Sequence, residues 1–87
     1  MFQSKIGVHN DGGNTRPREV YVEPWGEDYT LLPGESLEII AFGPEVTPGF
    51  DIVEFDGATA VYCNNTSTFE VRQGDRKLEC GHRRGET

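Results

Sequence analysis

Eighty-seven residues suffice for one domain and exclude a two-domain enzyme or a repeat array. Leu, Ile, Val and Phe supply 20 of them, just above the share below which a highly charged chain stays disordered, so a folded but thin-cored domain is expected. Fifteen acids against eight bases leave a net charge of −7, and no apolar run approaches the roughly 18–20 residues of a membrane span.

No stretch repeats apolar residues at helical spacing over three turns without a Pro or Gly interrupting it; short β-type runs recur instead. Ile6–Val8 reads as a first short strand. Asn10–Asn14 has almost nothing to bury, and residues 10–18 read as a flexible loop. Glu19–Glu23 is a strand stopped by Pro24 and Gly26, because proline donates no ladder hydrogen bond. Asp28–Leu32 follows and ends at Pro33-Gly34, a turn pair with proline at i+1 and glycine where positive φ is needed. Ser36–Phe42 is the most apolar strand, with Leu37, Ile39 and Ala41 on one face. The doubled Ile39-Ile40 breaks its alternation and predicts burial on both sides or a bulge.

Gly43-Pro44 to Pro48-Gly49 is a loop. Phe50–Phe55 and Ala58–Cys63 flank Asp56-Gly57, the strongest two-residue hairpin signal in the chain. Asn64–Ser67 is a polar turn; its two overlapping glycosylation sequons would matter only in a secreted chain. Thr68–Arg72 and Arg76–Cys80 flank Gln73-Gly74-Asp75, a second hairpin, with Phe69, Val71, Leu78 and Cys80 facing inward. Residues 81–87 read as a loose tail. Seven to eight short strands predict an all-β, single-domain antiparallel β-sandwich or a partly open barrel.

The charge is unevenly placed. Residues 19–71 hold eleven acids and no Lys or Arg, whereas residues 1–18 and 72–87 each carry a net +2. Such a field disfavours direct binding to nucleic-acid phosphates and to anionic membranes, and suits a basic protein surface. Part of it is cancelled if the basic termini fold back over the middle. An alternative within the same electrostatics is an inhibitor, immunity or anti-defence protein whose carboxylates block a basic nucleic-acid-binding or toxin surface.

Cys63 and Cys80 allow two reduced thiols, a disulfide or half a metal site. Met1–Val8 lacks the apolar core of a secretory signal, so a cytoplasmic, reducing setting is expected, and with it free thiols. Cys63, Cys80 and His82, with His9, are ligand types for zinc, but their spacing matches no ribbon or finger. A metal or redox site at Cys63, Cys80 and His82 is therefore a second alternative, and no metal or cofactor is the expectation. Two His in terminal segments and no phosphate-cradling glycine motif point away from an enzyme.

Glu23-Pro24-Trp25-Gly26-Glu27-Asp28-Tyr29 is the most individual segment. Its Trp is either a core aromatic capping one end of the sandwich or an anchor ringed by carboxylates that grips a basic partner. Glu23, Trp25, Glu27, Asp28 and Tyr29 are accordingly the candidate binding residues. Together with Pro33-Gly34-Glu35 and the apolar Leu37-Glu38-Ile39-Ile40, the segment resembles a pattern of small uncharacterised bacterial proteins: E-P-W-G-E, Y-x-L, P-G-E and a hydrophobic strand. The match spans residues 20–42; it implies a bacterial source and a compact β-domain and carries no activity. The sequence thus predicts a small, acidic, non-catalytic binding protein, and leaves oligomeric state and partner open.

Overall fold

The computed structural model describes residues 1–84, which form eight strands and no helix. In chain order they are β1 (Phe2–His9), β2 (Arg18–Glu23), β3 (Glu27–Leu31), β4 (Ser36–Gly43), β5 (Gly49–Phe55), β6 (Ala58–Asn64), β7 (Thr68–Gln73) and β8 (Arg76–Leu78). They make two four-stranded sheets, β1-β4-β7-β8 and β3-β2-β6-β5. Every pairing between these strands is antiparallel except β2 with β6. The all-β fold is therefore as the strand pattern requires.

The two inner faces share one core. Val8, Leu37, Ile39, Val71 and Leu78 come from the first sheet; Val20, Val22, Tyr29, Leu31, Val61 and Cys63 come from the second. Along β4 the alternation is clean, with Leu37, Ile39 and Ala41 buried. The doubled isoleucine makes no bulge: the register runs unbroken through Ile39 and Ile40 on both sides of the strand. Ile40 lies half-buried on the outer face, between its cross-strand neighbours Lys5 and Glu70. On β6 the four residues Ala58–Val61 are all buried. Thr59 and Val61 face the core, while Ala58 and Ala60 sit in an outer valley between larger neighbours on β2 and β5.

The turns obey their residue chemistry. Asp56 and Gly57 both have positive φ, 44° and 79°, as a two-residue hairpin of the Asp-Gly type demands. Gly34, at φ 87°, follows Pro33 in a turn closed by Glu35 N–H donating to the Leu32 carbonyl at 3.0 Å.

Several expectations need correction. The first strand is eight residues long rather than three, because the polar stretch Phe2–Lys5 is ladder-bonded to β4 along its length. Residues 10–18 are organised around Asn10, which is fully buried, and Arg18 belongs to β2. β8 ends at Leu78, and Cys80 is exposed rather than inward. Of the expected loose tail, Gly81–Arg84 lie along β3: Gly81 N–H donates to the Asp28 carbonyl at 2.7 Å, and Thr30 N–H to the His82 carbonyl at 3.0 Å. Residues 85–87 lie outside the described residues.

Candidate functional site

The β2–β3 hairpin places the candidate residues. Val22 pairs with Glu27 and Glu23 ends β2, so Pro24-Trp25-Gly26 is the connecting loop, with Gly26 at φ 70°. Beyond it the two-residue period of β3 sends Glu27 and Tyr29 to the inner side and Asp28 to the outer side. Glu23, adjacent to inward Val22, is on the outer side of β2. Three of the five candidates, Trp25, Glu27 and Tyr29, therefore converge, and Glu23 and Asp28 do not join them.

The point of convergence is a cleft of about 370 Å³, lined by Trp25, Glu27 and Tyr29 from one sheet and by Phe69, Glu70, Lys77, Leu78, Glu79 and Cys80 from the other. It opens where the β3 edge faces β7 and β8. Trp25 rests against Phe69, with ring centroids 4.7 Å apart and planes tilted by 41°. The indole is nevertheless 40% exposed. The ring thus packs against Phe69 while part of it stays exposed to solvent.

Glu27 and Glu79 bring carboxylates to the cleft, whereas Glu70 and Lys77 line it from β7 and β8 but alternate with the inward Phe69, Val71 and Leu78 and so point to the outer face. Glu70 is engaged by Arg72 at 3.2 Å. Glu27 accepts a hydrogen bond from the Tyr29 hydroxyl at 2.9 Å. Tyr29 is almost completely buried, and burial, followed by its bond to Glu27, pushes its phenol well above the ordinary value. The phenol is thus a fixed donor that orients Glu27 through one of its carboxylate oxygens.

Two other hollows are less suited to a charged ligand. One of about 380 Å³ is lined by Glu19, Asp28 and Asp56 but also by Arg16 and Arg84. Another of about 260 Å³ lies under Asn10, Arg16 and Arg18. In the first of these Asp28 is already taken, accepting from Arg84 Nε at 3.0 Å and from its Nη2. Those bonds hold the Asp28 carboxyl below its usual range.

Cys63 and Cys80 are both free thiols. Burial raises the pKa of Cys63, whereas Cys80 sits at the surface with its Sγ 3.9 Å from Asp28 Oδ1. Cys63, Cys80 and His82 do not gather: among the described residues no three His, Cys, Asp or Glu side chains cluster as a metal would need.

Phe69, Glu70, Lys77 and Glu79 escaped the sequence reading of the site. They lie more than forty residues beyond Trp25 and reach it only through the stacking of one sheet on the other. The inward period of Phe69 and Val71 was the available signal, and it marked Phe69 as core. Comparison with known protein families, curated proteins and solved structures finds no match.

Proposed function

We propose that this chain is a small non-catalytic binding module that grips a basic protein surface, with a Lys or Arg side chain of the partner seated in the Trp25 cleft. The observation that carries this reading is the half-open Trp25–Phe69 pair beside a carboxylate held by a buried tyrosine. A cation over the exposed indole face gains a cation–π interaction, and a charge-assisted hydrogen bond to Glu27 fixes its position. Tyr29 is a positioning residue in this scheme.

The surrounding charge supports the same reading. All five ion pairs among the described residues join a base of the terminal segments to an acid of residues 19–71. Glu19, Glu23, Glu27, Glu45, Asp51 and Asp56 have no such partner among the described residues, so a negative field survives the neutralisation and draws in a basic partner. Two free thiols suit a cytoplasmic setting, which belongs to this proposal.

The test is calorimetric titration with a hexa-arginine amide as the probe. Glu27→Gln keeps an acceptor for Tyr29 and removes the charge; Trp25→Ala removes the platform. Each is expected to weaken binding about tenfold or more with the circular-dichroism spectrum retained, and Trp25→Ala also lowers stability by about 1–2 kcal/mol through loss of the Phe69 contact. Unchanged affinity in both folded variants would reject the cleft as the site.

A further inference from the structure

The four sheet edges differ in how they are closed to other strands. β3 is covered by Gly81–Arg84 through the Thr30–His82 and Gly81–Asp28 backbone bonds. β8 is three residues long and carries Arg76 and Lys77. β1 has Lys5 at its middle. Short length, lysine and a covering segment are the usual protections of an edge.

β5 has none of them. It pairs with β6 over seven residues in unbroken register, from Gly49 opposite Asn64 to Phe55 opposite Ala58, and among the described residues it pairs with no other strand. It contains no Pro, Lys or Arg. Its apolar side chains are exposed on both faces: Ile52 at 48%, Val53 at 49% and Phe55 at 47%. Phe55 stacks on Tyr21 at 6.3 Å and extends the apolar surface across the outer face of the sheet. The charged residues of the strand are Asp51 and Glu54, both acidic and both exposed. Glu54 is paired with Arg18 at 3.7 Å, and Asp51 accepts from the neutral Asn64 amide at 2.8 Å.

A second copy of this chain is a poor occupant. Pairing β5 with itself brings four carboxylates together between molecules of net charge −7 each. A basic strand neutralises the same carboxylates. We propose that β5 is a docking edge that adds an extended basic segment of a partner protein to the sheet. Main-chain hydrogen bonds supply the attachment, and the side chains along β5 set the pattern the segment must carry. Asp51 and Glu54 are three positions apart with Ile52 and Val53 between them. The matching segment therefore reads apolar-basic-apolar-apolar-basic-apolar, a pattern that is the same in either strand direction. This edge is formed by the strand at the far end of its sheet from β3, so it acts independently of the Trp25 cleft.

The test uses a capped Val-Lys-Val-Val-Lys-Val peptide and the 15N-labelled full chain. Binding is expected to shift and protect the amides of β5 first. The same peptide with methylated backbone nitrogens keeps its charges and side chains, and is expected to bind at least tenfold more weakly. Val53→Lys, at an exposed position, is expected to weaken the unmodified peptide tenfold with thermal melting preserved. Equal binding of the methylated peptide, or shifts centred on the Trp25 cleft, would overturn strand addition at β5 even if the Val53 variant failed to fold. Sedimentation without peptide is expected to give a monomer; a dimer abolished by Val53→Lys would overturn the basic occupant in favour of a second copy.

Discussion

The Asn10 side-chain amide donates to the carbonyls of Arg16 and Leu31, each at 3.0 Å, and its oxygen accepts from Asn14 at 2.8 Å. Its main chain is equally engaged, with N–H donating to the Glu35 carbonyl and C=O accepting from Gly34. One buried amide thereby joins the 10–18 segment to β3 and to the Pro33-Gly34 turn. Asn10→Ala strands buried acceptors and is expected to cost about 2–3 kcal/mol in urea unfolding. Asn10→Asp is expected to be no better, because a carboxylate cannot donate to Leu31 or Arg16. The thiols differ as sharply. Cys80 is expected to react with a thiol reagent in the folded protein, whereas Cys63, buried and with its pKa raised, reacts only on unfolding. Because the Cys63 pKa is raised in the folded state, its contribution to stability is full below the unfolded thiol value and is lost as pH rises through the folded one. Asp28 has the opposite sign. Its carboxyl is held down by Arg84, so that contribution is present above the unfolded carboxylate value and disappears as pH falls through the lowered one. Arg84→Ala is expected to raise the Asp28 carboxyl pKa, followed by NMR, because the bonds that hold it down are lost. It should change melting only slightly, since the guanidinium lies in solvent.

Among the elements, β4 carries the tightest packing constraint. A Cβ on Gly43 would collide with the backbone carbonyl oxygens of Asn65 and Val46, neither of which can swing aside. Gly43→Ala is therefore expected to destabilise by about 1–3 kcal/mol in the same unfolding assay. Gly49→Ala, at a site with nothing within 4 Å, serves as the near-neutral control. The elements were also the most legible part of the chain. Pro33-Gly34, Asp56-Gly57 and Gly74 fix local backbone geometry regardless of what lies around them, so strand limits could be read from them to within a residue or two. Where partners lie far apart in sequence, legibility fails. The first four residues of β1 carry no apolar alternation and become strand because β4 offers a ladder. The Gly81–Arg84 strap looked loose because its anchor is the main chain of β3, fifty residues away. The parallel pairing of β2 with β6 likewise has no local mark.

At the scale of the molecule, the sequence divided the charge into an acidic middle and two basic ends, and the fold brings those ends onto the middle. Lys5, Arg18, Arg72, Arg83 and Arg84 each pair with an acid of the base-free stretch. Glu19, Glu23, Glu27, Glu45, Asp51 and Asp56 remain without such a pair among the described residues. The candidate site was legible as the Trp25 segment because an aromatic among acids stands out in any sequence. Its second wall was not, because Phe69 and Glu79 become neighbours of Trp25 only when two sheets stack. Trp25 is the sole tryptophan of the chain, so its emission reports on the proposed contact directly. The decisive measurement is a fluorescence titration with hexa-arginine amide at about 0.02 M and about 0.3 M salt. The account predicts a saturable change in Trp25 emission that weakens severalfold at the higher salt and is lost in Glu27→Gln. Binding detected by calorimetry with Trp25 emission unmoved, or an affinity indifferent to salt, would contradict it.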